Sequence, residues 1–267
     1  MSAIEIMAKL NAKVATKAKP EENTGQPPKE KHLERTLGRH SEGANVKMSN
    51  ALISATHGLN LGERRLVYLG MAFLNKGNEI QINAKDYAEA FGIDEANAYG
   101  QIAEACSKLF EREIRFTDGR KTTRARWVQS ATYHEGEGWC SLKFTDVVCV
   151  NIKGLQTQYT RYALAKAGDL KSVYSWRLME RFLQYGDAKK GYKGWWQISI
   201  VELCEFLELS DFYLDWRQLR QKILVPAAKE LLQKDNWEIE IEPLKTGRKT
   251  THVKFSFKQK AQQKLDF

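Results

Sequence analysis

Trp216, Leu219, Ile223 and Ala227 recur at helical spacing, which predicts a helix over 213–234 with one apolar stripe. The opposite face then carries Arg217, Gln218 and Gln221, with Arg220 and Lys222 at its flanks. A guanidinium pairs bidentately with the N7 and O6 of guanine, and a Gln amide with the N7 and N6 of adenine. A helix offering both is equipped to read base edges, although an ordinary solvated helix face is also built from Arg, Gln and Lys. Arg248 and Lys249 stand at a predicted hairpin turn, where they suit phosphate or sugar. Lys189 and Lys193 belong to a basic, aromatic-flanked loop over 186–194, a phosphate contact or a plain exposed loop. Arg120, Lys121, Arg124 and Arg126 crowd another hairpin after the turn at Asp118-Gly119. Trp195 and Trp196 read as core residues rather than stacking platforms.

Enzymatic readings find no support in the residue pattern. His32, His40, His57, His134 and His252 form no His-x-His pair of the kind that holds a metal for DNA nicking, and they read as surface or turn residues. Cys106, Cys140, Cys149 and Cys204 are scattered without a Cys-x-x-Cys pair, so free buried thiols in a reducing cytosol are expected rather than zinc. The segment 186–193 (GDAKKGYK) has Tyr192 where a phosphate-binding loop requires lysine. No Gly-x-Ser-x-Gly occurs. The chain is expected to bind rather than catalyse, with no cofactor and no metal.

The elements that must position these residues are legible in outline. The chain has 267 residues, 42% of them hydrophobic, enough for one large domain or two ordinary ones. Lys and Arg number 42 against 33 Asp and Glu, a net charge of +9 that favours nucleic acid or an acidic membrane surface as partner. No apolar run is long enough to span a bilayer, and the first residues, with Glu5 among them, are no signal peptide. Residues 1–46 read as a basic tail, disordered because Pro20, Pro27 and Pro28 stand among residues with little to bury, with weak helicity over 1–14.

Order is expected from near Met48: helices over 51–55 and 61–74, a strand over 80–82, helices over 84–91 and 95–111, then strands over 114–116, 126–133 and 139–144. A helix over 170–185, a strand over 196–198, helices over 199–207 and 213–234, and strands over 237–241 and 251–257 repeat that order. Ile82 then matches Ile198, cap Asn83 matches cap Ser199, and Tyr87, Phe91 and Ile93 match Leu203, Leu207 and Leu209. This predicts an α+β fold of two tandem winged-helix domains related by an internal pseudo-repeat, over 47–152 and 153–260, joined near 151–161 and followed by a short tail over 261–267. The longer helix of such a unit enters the major groove and its hairpin, the wing, touches backbone. The second unit is expected to read sequence. The first, whose long helix begins with Asp94, Glu95, Asn97, Gln101 and Glu104, suits backbone contact and assembly.

Several segments together resemble the iteron-binding replication initiators of theta-replicating plasmids. They are 49–53 (SNALI), 61–72 (LGERRLVYLGMA), Tyr87-Ala88-Glu89 before Phe91-Gly92, Arg126-Trp127-Val128, 171–180 (KSVYSWRLME), Gln184-Tyr185, 196–199 (WQIS) and the Gly247-Arg248 turn. Tyr174-Ser175-Trp176-Arg177-Leu178 is the most specific of them. The resemblance implies binding to direct repeats in double-stranded DNA at a plasmid origin. It implies an initiating monomer and a dimer, assembled through the first domain, that represses its own promoter. Helicase and polymerase chemistry would fall to host proteins, such as the helicase and a DnaA-type initiator. A repressor without origin function is the alternative within DNA binding, and a protein-interaction module the alternative outside it.

Overall fold

The computed structural model describes residues 34–35, 43–74, 76–118 and 120–260. The weak helicity expected over 1–14 and the tail expected over 261–267 lie outside them. Within the expected tail, β1 (Glu34–Arg35) is a strand, and Asn45 and Val46 open β2 (Asn45–Ser49), so part of that stretch is ordered.

Side-chain caps set most helix starts of the first half. Ser49 caps α1 (Asn50–Ser54). Asn60 and Glu63 form a reciprocal capping box that opens α2 (Leu61–Phe73); a cap of this kind contributes about 1 kcal/mol. Asn83 ends β3 (Glu79–Asn83) and caps α3 (Ala84–Phe91), which Gly92 closes in the left-handed region at φ 57°. The long helix α4 (Glu95–Leu109) follows, then β4 (Glu113–Asp118) and β5 (Lys121–Arg126) as one hairpin and β6 (Val128–His134) and β7 (Trp139–Phe144) as another. The sheet order is β1-β3-β7-β6, with β1 parallel to β3 and the rest antiparallel. Helix α2 lies so close to this sheet that a Cβ on Gly70 would stand 3.2 Å from the Phe144 ring.

In and beside the joining stretch expected near 151–161 lie three unexpected elements: α5 (Asp146–Ile152), β8 (Tyr159–Ala163) and α6 (Leu164–Gly168). Strand β8 returns to pair with β2, from Asn45 opposite Ala163 to Ser49 opposite Tyr159.

The second half begins with α7 (Val173–Tyr185), capped by Ser172. Strand β9 (Gly194–Ser199) leads to α8 (Ile200–Leu207), opened by a Ser199–Glu202 capping box. A helical stretch over 216–235 precedes β10 (Trp237–Thr246) and β11 (Lys249–Gln259). Their order, β10-β11-β9, places the last strand between the other two, as β7 lies between β6 and β3. Trp196 stacks on Phe255 at 5.4 Å within the sheet, and Phe182 of α7 stacks on Phe257 at 4.4 Å, fixing α7 over the sheet. Burying each such ring stabilises by about 1.5–3 kcal/mol.

Helix α7 also serves the first half. Arg64 of α2 reaches Glu180 at 3.3 Å and the Tyr68 hydroxyl at 2.8 Å, while the Tyr162 hydroxyl donates to Glu180 at 2.7 Å. His57, expected at the surface, is fully buried against this network. Its Nε2 donates to the Leu52 carbonyl at 2.6 Å, which leaves Nδ1 to accept from Arg64 at 3.2 Å. Burial, and then the charges of Arg177 and Arg64, hold this imidazole well below its ordinary pKa, so it is neutral. Cys106, Cys140 and Cys204 are buried free thiols as expected, whereas Cys149 is half-buried.

Candidate nucleic-acid interface

The candidate reading face lies on 216–235, and this helix is not regular. Asp215 caps its first turn, α9 (Trp216–Leu219), by accepting from the Gln218 amide at 3.0 Å. Residues Arg220–Leu224 form a wider π turn, in which Val225 N–H donates to the Arg220 carbonyl, before α10 (Val225–Asp235) completes the helix. Pro226 explains the widening. It has no N–H to return to residue 222, and its ring crowds that carbonyl. The inserted residue shows in the burial pattern: Leu219, Ile223, Leu224, Ala227 and Leu231 are all buried, so adjacent positions 223 and 224 face the core. The expectation of one regular helix from Tyr213 is corrected accordingly. Tyr213 belongs to a separate 3-10 turn, Asp211–Leu214, and Trp216 is half-buried.

Arg217, Arg220, Gln221 and Lys222 are exposed on the outward side, while Gln218 is half-buried. The Lys222 ammonium sits 5.0 Å over the Phe212 ring. Phe212 and Leu214 are themselves exposed apolar residues beside the start of this helix. They suit a thymine methyl or a sugar; the periodicity missed Phe212 because it precedes the expected helix, and Leu214 because it stands off the apolar stripe.

Arg248 and Lys249 are exposed where β10 turns into β11. Helix and hairpin meet at Asn236, in the left-handed region at φ 54°. Arg217 and the Arg248 tip therefore both lie at ends remote from that corner. Lys189 and Lys193 do not join them. Their loop carries a short 3-10 turn, Ala188–Lys190, and the Gly191 carbonyl accepts from Gln259 N–H at 2.8 Å. This fixes the loop at the opposite end of β11 from Lys249, roughly 30 Å along the strand. Trp195 is a further correction. Successive residues of β9 face opposite sides of the sheet, so Trp196 is buried while Trp195 is 62% exposed.

The basic hairpin of the first half is not the wing of its sheet. Strands β4 and β5 form a separate two-stranded sheet, and the hairpin in the wing's place is β6–β7, whose turn carries Glu135 and Glu137. Arg120 and Lys121 are exposed at the basic hairpin's turn. Arg124 is held across it by Glu113, with contacts of 2.7–3.0 Å. Both partners are substantially exposed, so the pair is worth about 0–1 kcal/mol and a phosphate can displace it. At the hairpin's root Arg115 exchanges backbone hydrogen bonds with Thr56, both at 3.0 Å. The next residues, His57 and Gly58, donate to the Glu208 carboxylate at the end of α8, so the hairpin rises beside the turn leading to the helix over 216–235.

Residues 45–183 match the family described as initiator replication protein, WH1, and residues 199–257 match initiator Rep protein, WH2. The chain belongs to the initiator replication protein family. In this initiator the two halves are winged-helix domains, and the WH1 match runs on through β8 and most of α7. A replication initiation protein of Escherichia coli is 26% identical over 220 residues, covering 79% of this chain and 68% of that protein. The crystal structure of the Pi initiator protein in complex with iteron DNA superposes with a TM-score of 0.69 at 23% identity, over 81% of this chain and 98% of that one. Among the described residues of the initiator no helix is long and apolar enough to cross a membrane, and no cluster of side chains suits a metal ion.

Proposed function

We infer that this chain initiates replication of a plasmid in the bacterial cytoplasm by binding direct repeats in double-stranded DNA at the origin. The observation that carries this reading is the exposed Arg217, Arg220, Gln221 and Lys222 face, opposite a fully buried one, in a winged-helix unit whose hairpin tip is Arg248-Lys249. The helix enters the major groove, where its Arg and Gln side chains pair with base edges. Arg248 and Lys249 meet the backbone of the same site, and Arg120 and Lys121 extend the contact to phosphates farther along the duplex. The family match and the fold shared with an initiator solved on iteron DNA support it.

The first unit contributes backbone contact and self-association. The turn with Glu135 and Glu137 repels phosphate, and that side of the unit is the one left for protein. Loading on successive repeats opens the origin, and the host helicase and a DnaA-type initiator follow. As a dimer the chain represses its own promoter.

A footprint across tandem direct repeats beside its gene, paired with a replication assay, tests this. A fragment bearing the repeats and a selectable marker is expected to replicate only when the chain is supplied. Protection of the promoter without repeat-dependent replication selects the repressor reading. Absence of salt-sensitive DNA binding selects a protein-interaction module.

A further inference from the structure

The segment Tyr174-Ser175-Trp176-Arg177-Leu178 takes no part in the DNA contact above. Ser175, Trp176, Arg177 and Leu178 are buried. The Arg177 guanidinium donates to the carbonyls of Ile53 at 3.0 Å, Ala55 at 2.9 Å and Phe206 at 2.9 Å. Two of these belong to the end of α1 and the third to the last turn of α8, so one side chain satisfies carbonyls at the ends of two helices from different halves.

Glu208 completes the tie from the other side. It caps α8 in the left-handed region at φ 57°, and its two carboxylate oxygens accept from His57 N–H and Gly58 N–H, each at 2.8 Å. The stretch 53–58 is thus clamped to the end of α8 at both its buried and its exposed faces. On one side of the clamp Thr56 leads to the root of the basic hairpin. On the other, α8 leads through the 3-10 turn to the reading helix.

We propose that Arg177 and Glu208 are positioning residues that fix the separation between the DNA contacts of the two halves, so that this chain selects its repeats by spacing as well as by bases. The inference rests on the reading that both halves touch one duplex. Inserting a base pair moves the second contact about 3.4 Å and rotates it roughly a tenth of a turn. A loose tether absorbs that change. A joint closed by these bonds resists it, because opening it strands buried carbonyls without donors.

The test uses the full chain and selection from a duplex pool in which the spacing between two randomised windows varies. Wild type is expected to enrich two half-contacts at one spacing, and a one-base-pair insertion into the selected site to weaken binding about tenfold. Glu208→Gly removes the carboxylate at an exposed position whose φ suits glycine, so the variant folds. It is expected to enrich the same two half-contacts over several spacings, to tolerate the insertion within about twofold, and to bind each isolated half-contact as wild type does. Arg177→Lys, which keeps the charge but lacks the planar fork, is expected to act in the same direction. Retention of the wild-type spacing preference by both variants overturns the inference alone, as does a wild type that accepts all spacings. A wild type that enriches a single half-contact overturns it together with the reading beneath it.

Discussion

At the scale of single residues, base readers and backbone contacts must fail differently. Arg217→Ala and Gln221→Ala are expected to cost about 1–3 kcal/mol on the cognate repeat and little on scrambled duplex. Arg248→Ala and Lys249→Ala are expected to weaken both duplexes alike and to flatten the plot of log affinity against log salt by roughly 0.9 per lost phosphate contact. Salt titrations of each variant on the two duplexes decide it. If the helix variants lose equally on both, 216–235 is not the reader and α4 becomes the candidate. His57 gives a separate pH signature. Its depressed pKa means that the unfolded chain takes up the proton first, so its contribution is complete above about pH 6.5 and is lost as pH falls below that. Urea unfolding is expected to show stability falling by up to about 1.4 kcal/mol per pH unit in that range, with His57→Gln flattening the slope. The exposure of Arg217, Arg220 and Gln221 was legible because a helical apolar stripe names its own opposite face. His57 was not, because its burial depends on arginines from α2 and α7 that no local pattern connects to it. Trp195 was misread because β9 carries an aromatic on both faces, and adjacency alone does not say which is inward.

Among the elements, those with strong caps were readable to the residue: Asn83 and Gly92 bracket α3, and Gly138 and Phe144 bound β7 where the sequence places them. The pair β2–β8 and the helices α5 and α6 were not, since they are short and β8 finds its partner more than a hundred residues away. Asn83 and Ser199 each end a strand and cap the helix that follows. The π turn was invisible for another reason. Pro226 announces a fault in the helix but not whether the chain kinks, breaks or widens there. Pro226→Ala supplies the missing N–H and lets 220–224 close as ordinary α-helix, rotating Arg217 and Arg220 relative to α10. The expected result is a loss of about 1–3 kcal/mol on the repeat with helical circular dichroism preserved. Unchanged affinity would show that the widened turn does not aim the readers.

Over the whole molecule, the decisive fact is that the halves interlock. The exposed stretch 156–158 invites protease, yet β2 and β8 pair across it and Arg177 ties α1 to α8. A chain nicked there is expected to run as one particle in size-exclusion chromatography and to separate only in denaturant. Separation in plain buffer would mean that strand pairing and buried bonds do not hold the halves together.

Arg217, Arg220 and Gln221 make no side-chain hydrogen bond or ion pair among the described residues, whereas Leu219, Ile223, Leu224 and Ala227, which seat their helix, are buried. Substitution at such surface positions usually changes stability by no more than about 0.5 kcal/mol. On the reading proposed for them, the bases this chain selects are free to drift while the frame that presents them stays under selection. Two plasmids descended from one ancestor can in this way part company at their repeats, each initiator ceasing to answer to the other's origin, after very few mutations and without either protein passing through an unstable intermediate.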